Sequence, residues 1–309
     1  MKRISLIISA VFALMLHSAD VHAQQDAMFT QYMFNGLALN PAYAGSHEAI
    51  RTTFLHRNQW TQIDGAPNTT TLSIHTPANE RIGLGFQLAH DKIGVSQQTV
   101  ANISGAYMMP LSGSAKLSFG LSIGLDNLQY NYSDLDLYST NDVFFDASNN
   151  INESKMNVGA GLFYHSDKTF VGISVPKLLE NEYGEDVASV IQSRHYFIYA
   201  GHIIDLHPNL KFKPNVLFKA VEGAPLEADL NANFLFIDRI WAGVSWRSFE
   251  SIGLMTQLNV TEQFGIGYAY DIITNDIVTS DNKRTGSHEF MLTYLFSFKK
   301  KAMLSPRYF

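Results

Sequence analysis

The chain has no cysteine among its 309 residues, and only 16% of its residues are charged. The missing cysteines exclude disulfide bonds, thiolate metal sites and a lipid anchor on cysteine. The low charge is unusual for a soluble globular protein, in which about 25% of residues are charged. The sequence also lacks the uninterrupted runs of about 18 apolar residues that mark transmembrane helices.

Apolar and aromatic residues are abundant and are spread evenly along the chain. Apolar residues make up 46% of the sequence, with 21 Phe, 14 Tyr and 3 Trp, yet the mean hydropathy is only −0.04. So many aromatic residues exclude an intrinsically disordered chain. Outer-membrane β-barrels have this composition, because their strands alternate lipid-facing with lumen-facing residues.

Residues 1–23 are typical of a secretory signal peptide. Lys2 and Arg3 form a basic start, and the mostly apolar stretch Ile4–Leu16 is too short to span a bilayer. Val21-His22-Ala23 then provides a cleavage site after its last residue. Cleavage would change the formal net charge from −6 to −7, because it removes two basic residues and one acidic residue. The mature chain has no basic stripe, so a nucleic-acid partner is not expected.

After about residue 80 the dominant pattern has a period of two residues. From Leu117 to Asp126, large apolar residues alternate with Ser and Gly, and a similar alternation recurs in residues 82–91, 264–271 and 290–298. Such alternation indicates strands with one large apolar face and one small or polar face. A soluble β-sandwich would show the same alternation. The abundance of Gly and Ser on the small face favours a barrel wall around crowded or wet contents.

The sequence predicts an all-β fold, a transmembrane up-and-down antiparallel β-barrel of about fourteen strands with a short helical or irregular N-terminal segment. The predicted strands are Ala49–Arg57, Asn68–His75, Arg81–His90, Thr99–Met109, Ala115–Asp126, Lys155–His165, Thr169–Val175, His195–Asp205, Leu210–Ala220, Leu226–Phe236, Ile240–Arg247, Ser251–Val260, Glu262–Asp271 and Ser287–Phe298.

The gaps between these strands alternate in length. Every second gap is long or variable: Asn58–Pro67, Asp91–Gln98, Asn127–Ser154, Pro176–Arg194 and Ile272–Gly286. Long outer loops and short periplasmic turns are expected of an outer-membrane barrel, and they place both termini in the periplasm. The two short outer gaps, Val221–Pro225 and Ser248–Glu250, fit this pattern less well.

The barrel is predicted to span residues 47–298, with a non-strand segment before it and a tail after it. In Gln24–Ser46, the apolar residues follow helix-like steps until Asn40-Pro41 stops any helix. The segment is too apolar to remain free in solvent, so we expect it to pack against the periplasmic mouth or to plug the lumen. Residues 299–309 are predicted to form a periplasmic C-terminal tail.

No motif of enzymatic chemistry is present: the sequence has no Walker A loop, no dinucleotide-binding glycine fingerprint, no zinc-protease helix and no serine-hydrolase elbow. We therefore expect a non-enzymatic protein without a cofactor. His47-Glu48 and His288-Glu289 lie in matching Gly-Ser-His-Glu contexts, but their spacing supplies no third or fourth metal ligand. They open the first and last strands, which run antiparallel, so we expect them at opposite rims.

Three aspartates, Asp91, Asp126 and Asp271, each end a strand that runs toward the outer loops. A calcium site among outer loops would use such carboxylates. We interpret them instead as solvated rim carboxylates.

Five stretches resemble the PorP/SprF family of the type IX secretion system. They are Gln24–Asn35 with Asn40–Ser46, Arg57–Trp60 with Gly65–Pro67, Gly83–Gly85 with Asp91 and Gly94, Asp229–Asn233 with Trp241–Gly243 and Trp246-Arg247, and Gly267–Asp271 with Gly286–Glu289. The resemblance covers essentially the whole mature chain, and the run Asn40-Pro41-Ala42-Tyr43-Ala44-Gly45 is quite specific. Ala27 stands where proline is common in the family.

The resemblance implies an outer-membrane barrel of the secretion and gliding machinery. It also implies three kinds of partner: a secreted cargo protein with a C-terminal sorting domain, other type IX secretion components in the periplasm or outer membrane, and the lipid bilayer. An alternative hypothesis is a small-solute diffusion channel, because fourteen strands can enclose a lumen.

Candidate partner-binding residues lie in two of the long gaps or beside them. Tyr130, Tyr132 and Tyr138 fall in the predicted outer loop Asn127–Ser154, whose mixture of Tyr, Asn and Asp suits a wet recognition surface. Arg57 and Trp60, in the second resembling stretch, are further candidates.

Overall fold

A computed structural model describes residues 28–134, 150–184, 189–274 and 285–296. The predicted signal peptide, residues 1–23, and the predicted tail, residues 299–309, lie outside the described residues. The strands are β1 Ile50–Asn58, β2 Asn68–Pro77, β3 Ile82–Ile93, β4 Ser96–Pro110, β5 Lys116–Tyr130, β6 Ile151–His165, β7 Thr169–Val175, β8 Glu182–Tyr183, β9 Val190–Ile191, β10 His195–His202, β11 Ile204–His207, β12 Leu210–Val221, β13 Glu227–Phe236, β14 Ile240–Arg247, β15 Ser251–Asn259, β16 Phe264–Ile273 and β17 Gly286–Phe296.

The wall is a closed antiparallel barrel of fourteen strands, which confirms the predicted fold class and strand number. Neighbours in sequence pair around the ring, and the ring closes where β1 pairs with β17, from Ile50 opposite Phe296 to Asn58 opposite His288. β10 and β11 together count as one wall strand, because both pair with β12 and only Ile203 separates them. In the part of the chain that the structure describes, no helix is long and apolar enough to cross a membrane.

The two faces of the wall differ in side-chain size as the alternation predicts. Large apolar side chains point outward and are exposed, for example Leu121 at 69% and Ile103 at 63%. Between them, Gly120, Ser118 and Ser104 point inward and are buried. An apolar outer surface of this kind is stable against lipid, so the alternation belongs to a barrel wall and not to a soluble sandwich.

The two ends of the barrel differ in loop length, with one correction to the prediction. Long connections at one end include residues 59–67, 131–150, 176–194 and 274–285, whereas the connections at the other end are tight. The prediction of a long loop at Asp91–Gln98 is wrong. β3 continues to Ile93 and β4 begins at Ser96, so Gly94 and Val95 alone join the two strands. Gly94 has φ +57°, a conformation that glycine adopts without strain and that permits this two-residue turn.

Residues 28–46, which we call the lumenal segment, pass through the barrel as 3₁₀ turns at Tyr32–Phe34, Gly36–Ala38 and Pro41–Tyr43. Nearly all of its residues are buried. The Oδ1 atom of Asn40 caps the third turn by accepting the N–H of Ala42 at 2.8 Å, with proline at the first position of the turn. Nδ2 of Asn40 donates to the carbonyl of Leu162 in β6 at 2.9 Å, which ties the segment to the wall.

Glycines on the inner wall make room for this segment. A Cβ atom on Gly120 would collide with the backbone of Pro41 and Ala42, and one on Gly83 would collide with the carbonyl of Ala44. The small inner face is therefore filled mainly by the chain itself.

We expect Gly120→Val to destabilise the barrel by about 1–3 kcal/mol, the usual cost of forcing atoms into a packed interior. The matched control is Gly105→Val on the neighbouring strand, because a Cβ at Gly105 meets nothing within 4 Å. The temperature at which the folded band disappears in heat-modifiability gels measures the effect. Equal shifts in the two variants would contradict the close packing of the lumenal segment.

Candidate functional site

The described chain begins inside the barrel, at the end where the long loops lie. Thr30 contacts Glu289, which sits opposite Arg57 one position before the end of β1. From there the lumenal segment descends to Gly45, which lies against Gly83 at the short-turn end. The N-terminus itself, which the sequence analysis places in the periplasm, lies outside the described residues.

Glu289 holds the lumenal segment by its backbone. One carboxylate oxygen accepts the N–H of Thr30 at 2.8 Å, and the other accepts the N–H of Gln31 at 2.8 Å. Nη1 of Arg57 donates to the same carboxylate at 3.1 Å. Glu289 is only 1% exposed, so water does not compete with these charge-assisted hydrogen bonds.

Asp271 completes this arrangement around the side chain of Thr30. Its Oδ2 atom lies 2.7 Å from Nη1 of Arg57 and accepts the hydroxyl of Thr30 at 2.7 Å. Nη1 of Arg57 also donates to the hydroxyl oxygen of Thr30 at 3.0 Å. Burial of a guanidinium is costly unless it is paired, and two carboxylates pair Arg57 here.

A second buried ion pair holds Phe29. Nε of Arg247 lies 3.0 Å from Oδ2 of Asp229, and Nη2 of Arg247 donates to the carbonyl of Phe29 at 3.2 Å. Glu250 lies 3.3 Å from Arg247 and 3.8 Å from Arg57, so it connects the two ion pairs at the rim.

We call these six residues the lumenal anchor: Arg57, Asp229, Arg247, Glu250, Asp271 and Glu289. Three of its hydrogen bonds with the segment go to backbone atoms of Phe29, Thr30 and Gln31, and three go to the hydroxyl of Thr30, so it fixes the path of the chain and selects a hydroxyl at position 30. In the described residues, no group of three or more His, Asp or Glu could hold a metal ion. The hydrogen bonds from the anchor to Phe29, Thr30 and Gln31 make it suited to fastening a chain inside the barrel.

The two described tyrosine candidates stabilise the base of the long loops. The rings of Tyr130 and Tyr132 stack with centroids 5.6 Å apart, and both pack on a cluster formed by Leu128, Ile151 and Tyr183. Burial raises the pKa of Tyr183 to about 12, with the Asp126 charge adding to the effect. Burial also raises the pKa of Tyr132, so the phenols of Tyr132 and Tyr183 stay uncharged at neutral pH.

Asp126 connects these loops to the wall. Its carboxylate accepts from the side-chain amides of Gln98 at 2.8 Å and Gln192 at 2.7 Å, and it lies 3.2 Å from Nζ of Lys177. Its backbone carbonyl accepts the hydroxyl of Tyr183 at 3.4 Å. Asp126, a residue of β5, thus holds the β7–β10 connection through Lys177, Gln192 and Tyr183, the last of which lies in the β8–β9 hairpin of that connection.

The interpretation of the aspartates as solvated rim carboxylates is wrong for two of the three. Asp126 is 1% exposed and Asp271 is 2% exposed, because basic residues and amides on neighbouring elements cover them. Asp91 is half-buried and accepts the hydroxyl of Thr69.

The other candidate partner-binding residues separate in space. Arg57 is buried in the lumenal anchor, at 1% exposure. Trp60 lies in the 59–67 loop with φ +49°, and its backbone N–H donates to the hydroxyl of Ser287 at 3.2 Å. Tyr138 lies outside the described residues.

His47 and His288 fall at opposite rims, as the antiparallel pairing of β1 with β17 requires.

Sequence reasoning missed Asp229, Arg247 and Glu289 as functional candidates. A signal for them was present, because each lies in one of the stretches that carry the family resemblance. The structure brings four of those five stretches together at the lumenal anchor: Thr30 from the first, Arg57 from the second, Asp229 and Arg247 from the fourth, and Asp271 and Glu289 from the fifth.

Comparison with known proteins gives one family match and a set of structures with a similar fold. The family described as type IX secretion system membrane protein PorP/SprF matches residues 21–294 of the chain. None of the curated proteins compared with the chain matches it.

Among solved structures, CymD, a monoaromatic hydrocarbon channel, is 12% identical, with 85% of this chain and 92% of that chain covered and a TM-score of 0.50. A FadL homologue of Pseudomonas aeruginosa is 10% identical, with 81% of this chain and 89% of that chain covered and a TM-score of 0.47. The outer membrane protein Omp33 of Acinetobacter baumannii is 9% identical, with 82% and 100% covered and a TM-score of 0.46. At such identities the likeness concerns the fold alone.

We expect Glu289→Ala to release the upper part of the lumenal segment, because it leaves two buried N–H groups without an acceptor and removes one of the two carboxylates that pair Arg57. Breaking a buried ion pair of this kind costs about 3–5 kcal/mol. Chymotrypsin cleavage at Phe29 and Tyr32, followed by mass spectrometry, measures the release.

The control is Glu262→Ala, which removes an exposed carboxylate from a tight turn. Glu289→Gln should give an intermediate result, because it keeps one oxygen acceptor but loses the charge. Full protection of the segment in Glu289→Ala would show that the anchor does not hold it.

Proposed function

Because the chain belongs to the PorP/SprF family of type IX secretion system membrane proteins, we propose that it is a non-enzymatic outer-membrane barrel that binds the C-terminal sorting domain of a secreted protein and aids its export or surface anchoring. The coarser part of this statement, an outer-membrane barrel associated with type IX secretion, rests on the family match and the closed fourteen-strand wall. The sorting-domain partner is inferred from the family resemblance.

The filled lumen is the observation that best supports a binding role. Residues of the lumenal segment such as Tyr32, Leu37 and Tyr43 are at most 3% exposed, and the lumenal anchor fastens the upper end of this segment. A protein partner therefore docks outside the filled lumen, and we place its docking surface at the long-loop end.

The long-loop end offers an organised surface for such a partner. The rings of Tyr130 and Tyr132 stack on each other and pack against the buried side chains of Leu128, Ile151 and Tyr183. Asp126 fixes part of the β7–β10 connection through Gln192 and Lys177. Rigid aromatic residues supply contact area at a low cost in conformational entropy, and surrounding Asn and Ser residues supply hydrogen bonds. Such surfaces suit a specific but wet protein interface.

We expect replacement of residues 133–149 by a short Gly-Ser linker to abolish surface display of a reporter that carries a sorting domain. Tyr130, Tyr132 and Ile151 remain, so the barrel should keep its heat-modifiable mobility. The matched control replaces Ser112–Ser114, a tight turn at the opposite end, with the same linker chemistry. Surface reporter is counted by antibody labelling of intact cells, and undiminished display in the 133–149 variant would contradict docking on this loop.

A second candidate function is a small-solute channel, and an asymmetry inside the barrel favours it. On the β3–β4 side, Gln87, Gln98 and Asn102 are only half-buried, whereas Asn233 and Gln257 on the opposite side are at most 4% exposed. The lumenal segment thus leaves one side of the wall less covered. The fold likeness to CymD, a monoaromatic hydrocarbon channel, is compatible with this candidate but does not carry it.

Planar-bilayer recording separates the two functions. A binding barrel with a fastened segment should give little steady ion current as the intact protein, and Glu289→Ala should raise the current severalfold by releasing the segment. A diffusion channel would instead conduct steadily in the intact form, with Glu262→Ala and Glu289→Ala close to the unmodified protein.

A further inference from the structure

One strand of the barrel wall, β6, lacks a neighbour along part of its length. β6 runs from Ile151 to His165 and pairs with β5 over that whole length. On its other side β6 pairs with β7 only from Ala160 to His165, because β7 ends at Val175. Residues 151–159 of β6 therefore have no wall strand on the β7 side.

The lower part of this free side is covered by the connection that follows β7. Pro176 has no N–H group, so β7 does not continue as a strand. The chain then runs beside β6. The N–H of Leu178 donates to the carbonyl of Val158 at 2.8 Å, and the side-chain amide of Asn181 donates to the carbonyl of Met156 at 3.1 Å.

The upper part of this side, residues Ile151–Lys155, which we call the β6 edge, is open. Backbone groups of alternate residues point to the same side of a strand, so those of Asn152 and Ser154 point the same way as those of Met156 and Val158. Within the ranges that the structure describes, no hydrogen bond reaches the backbone groups of Asn152 or Ser154 from the β7 side.

The β6 edge projects beyond the apolar band at the long-loop end. Met156 is the last large apolar side chain on the outer face of β6, and beyond it Ser154 and Asn152 are polar and exposed. The free N–H and C=O groups thus face water and not lipid. An exposed strand edge of this kind is a template on which another strand can pair.

The β6 edge is held extended by its other neighbours. β5 pairs with it throughout, and the β8–β9 hairpin contacts its inward-facing side chains. Nζ of Lys155 donates to the carbonyl of Glu182, and the N–H of Gly184 donates to the carboxylate of Glu153 at 3.1 Å. Because the edge is already ordered, a strand that pairs with it pays only for its own ordering.

We infer that the β6 edge binds an extended strand of the secreted protein partner by strand addition. The N–H and C=O groups of Asn152 and Ser154 supply up to four hydrogen bonds, with the two-residue spacing that an extended polypeptide matches. The inference rests on the proposed function and names how the partner is held. The edge is continuous with the proposed docking surface, because Ile151 belongs to the cluster on which Tyr130 and Tyr132 pack.

The charge around the edge also favours a different protein over a second copy of this chain. The charged side chains there are three acidic and two basic residues, a net charge of −1: Glu153, Glu180, Glu182, Lys155 and Arg194. Two copies joined edge to edge would bring like net charges together, whereas a partner strand with a basic residue would not.

The test uses the full mature chain in detergent, with the purified sorting domain of the reporter as the probe and calorimetry as the readout. Ser154→Pro removes one N–H donor of the edge and puts the proline ring where the added strand would lie. It spares the bonds between β5 and β6, because the N–H of Ser154 points away from β5. Affinity should fall at least about tenfold. Ser154→Ala keeps the N–H group and is the matched control, with unchanged affinity expected.

A disulfide scan measures the pairing directly and does not require proline in the wall. The chain has no cysteine, so Asn152→Cys or Ser154→Cys gives a single thiol on the outer face of the edge. Single cysteines are then placed one at a time along the sorting domain. Strand addition predicts disulfides at every second residue of one short stretch, and the stretches found with the two barrel positions should differ by two residues.

The outcomes separate this inference from the proposed function. Equal affinities in Ser154→Pro and Ser154→Ala, or disulfides without a period of two residues, would overturn the inference and leave the proposed function standing. No binding of the sorting domain to the unmodified chain would contradict both. A disulfide-linked dimer of Ser154→Cys in the absence of the sorting domain would identify a second copy of the chain as the occupant and would also overturn the inference.

Discussion

The carboxylate of Glu289 is the interaction on which the interior of this barrel depends. A closed wall satisfies its own backbone hydrogen bonds, but a segment that enters the lumen as 3₁₀ turns carries N–H groups that the wall backbone cannot reach. Glu289 accepts two of these groups, from Thr30 and Gln31, and its charge is balanced by Arg57. Without a buried acceptor in that place, the chain could not run down the lumen along this path.

Two different physical means hold the lumenal segment, one at each end. At the short-turn end the contact is steric: Gly83 and Gly120 let the backbone approach so closely that a single methyl group would not fit. At the long-loop end the contact is ionic and directional, through Glu289 and Arg247. Buried ion pairs add little net stability compared with apolar packing, but they fix one geometry, so the anchor serves to specify the path of the chain.

The sequence predicts the wall far better than its contents. Alternation of large and small residues is local, and it located all fourteen strands within a few residues of their bounds. It failed at Asp91–Gln98, where polar residues continue the strands beyond the apolar band. The pairing of Thr30 with Asp271 joins residues 241 positions apart, and no local pattern encodes it. The resembling stretches contain both residues, and Asp271 was also noted at a strand end, but neither signal indicated that the two residues meet.

The low charge of the chain acquires a different meaning once the interior is known. A barrel in lipid has little outer surface in contact with water, so it needs few charged residues there. Some of the charged residues that it does have are buried inside: Arg57, Arg247 and Asp126 are each at most 4% exposed. Several scarce charges therefore lie in the upper lumen, where solvation is lost. Burying these charges costs desolvation energy, which is consistent with a role in fixing the local geometry. The lumenal anchor, the Asp126 contacts and the base of the long loops all lie at this end of the barrel. This concentration of buried charge, together with the steric packing and tight turns of the opposite end, favours the long-loop end as the docking side proposed above.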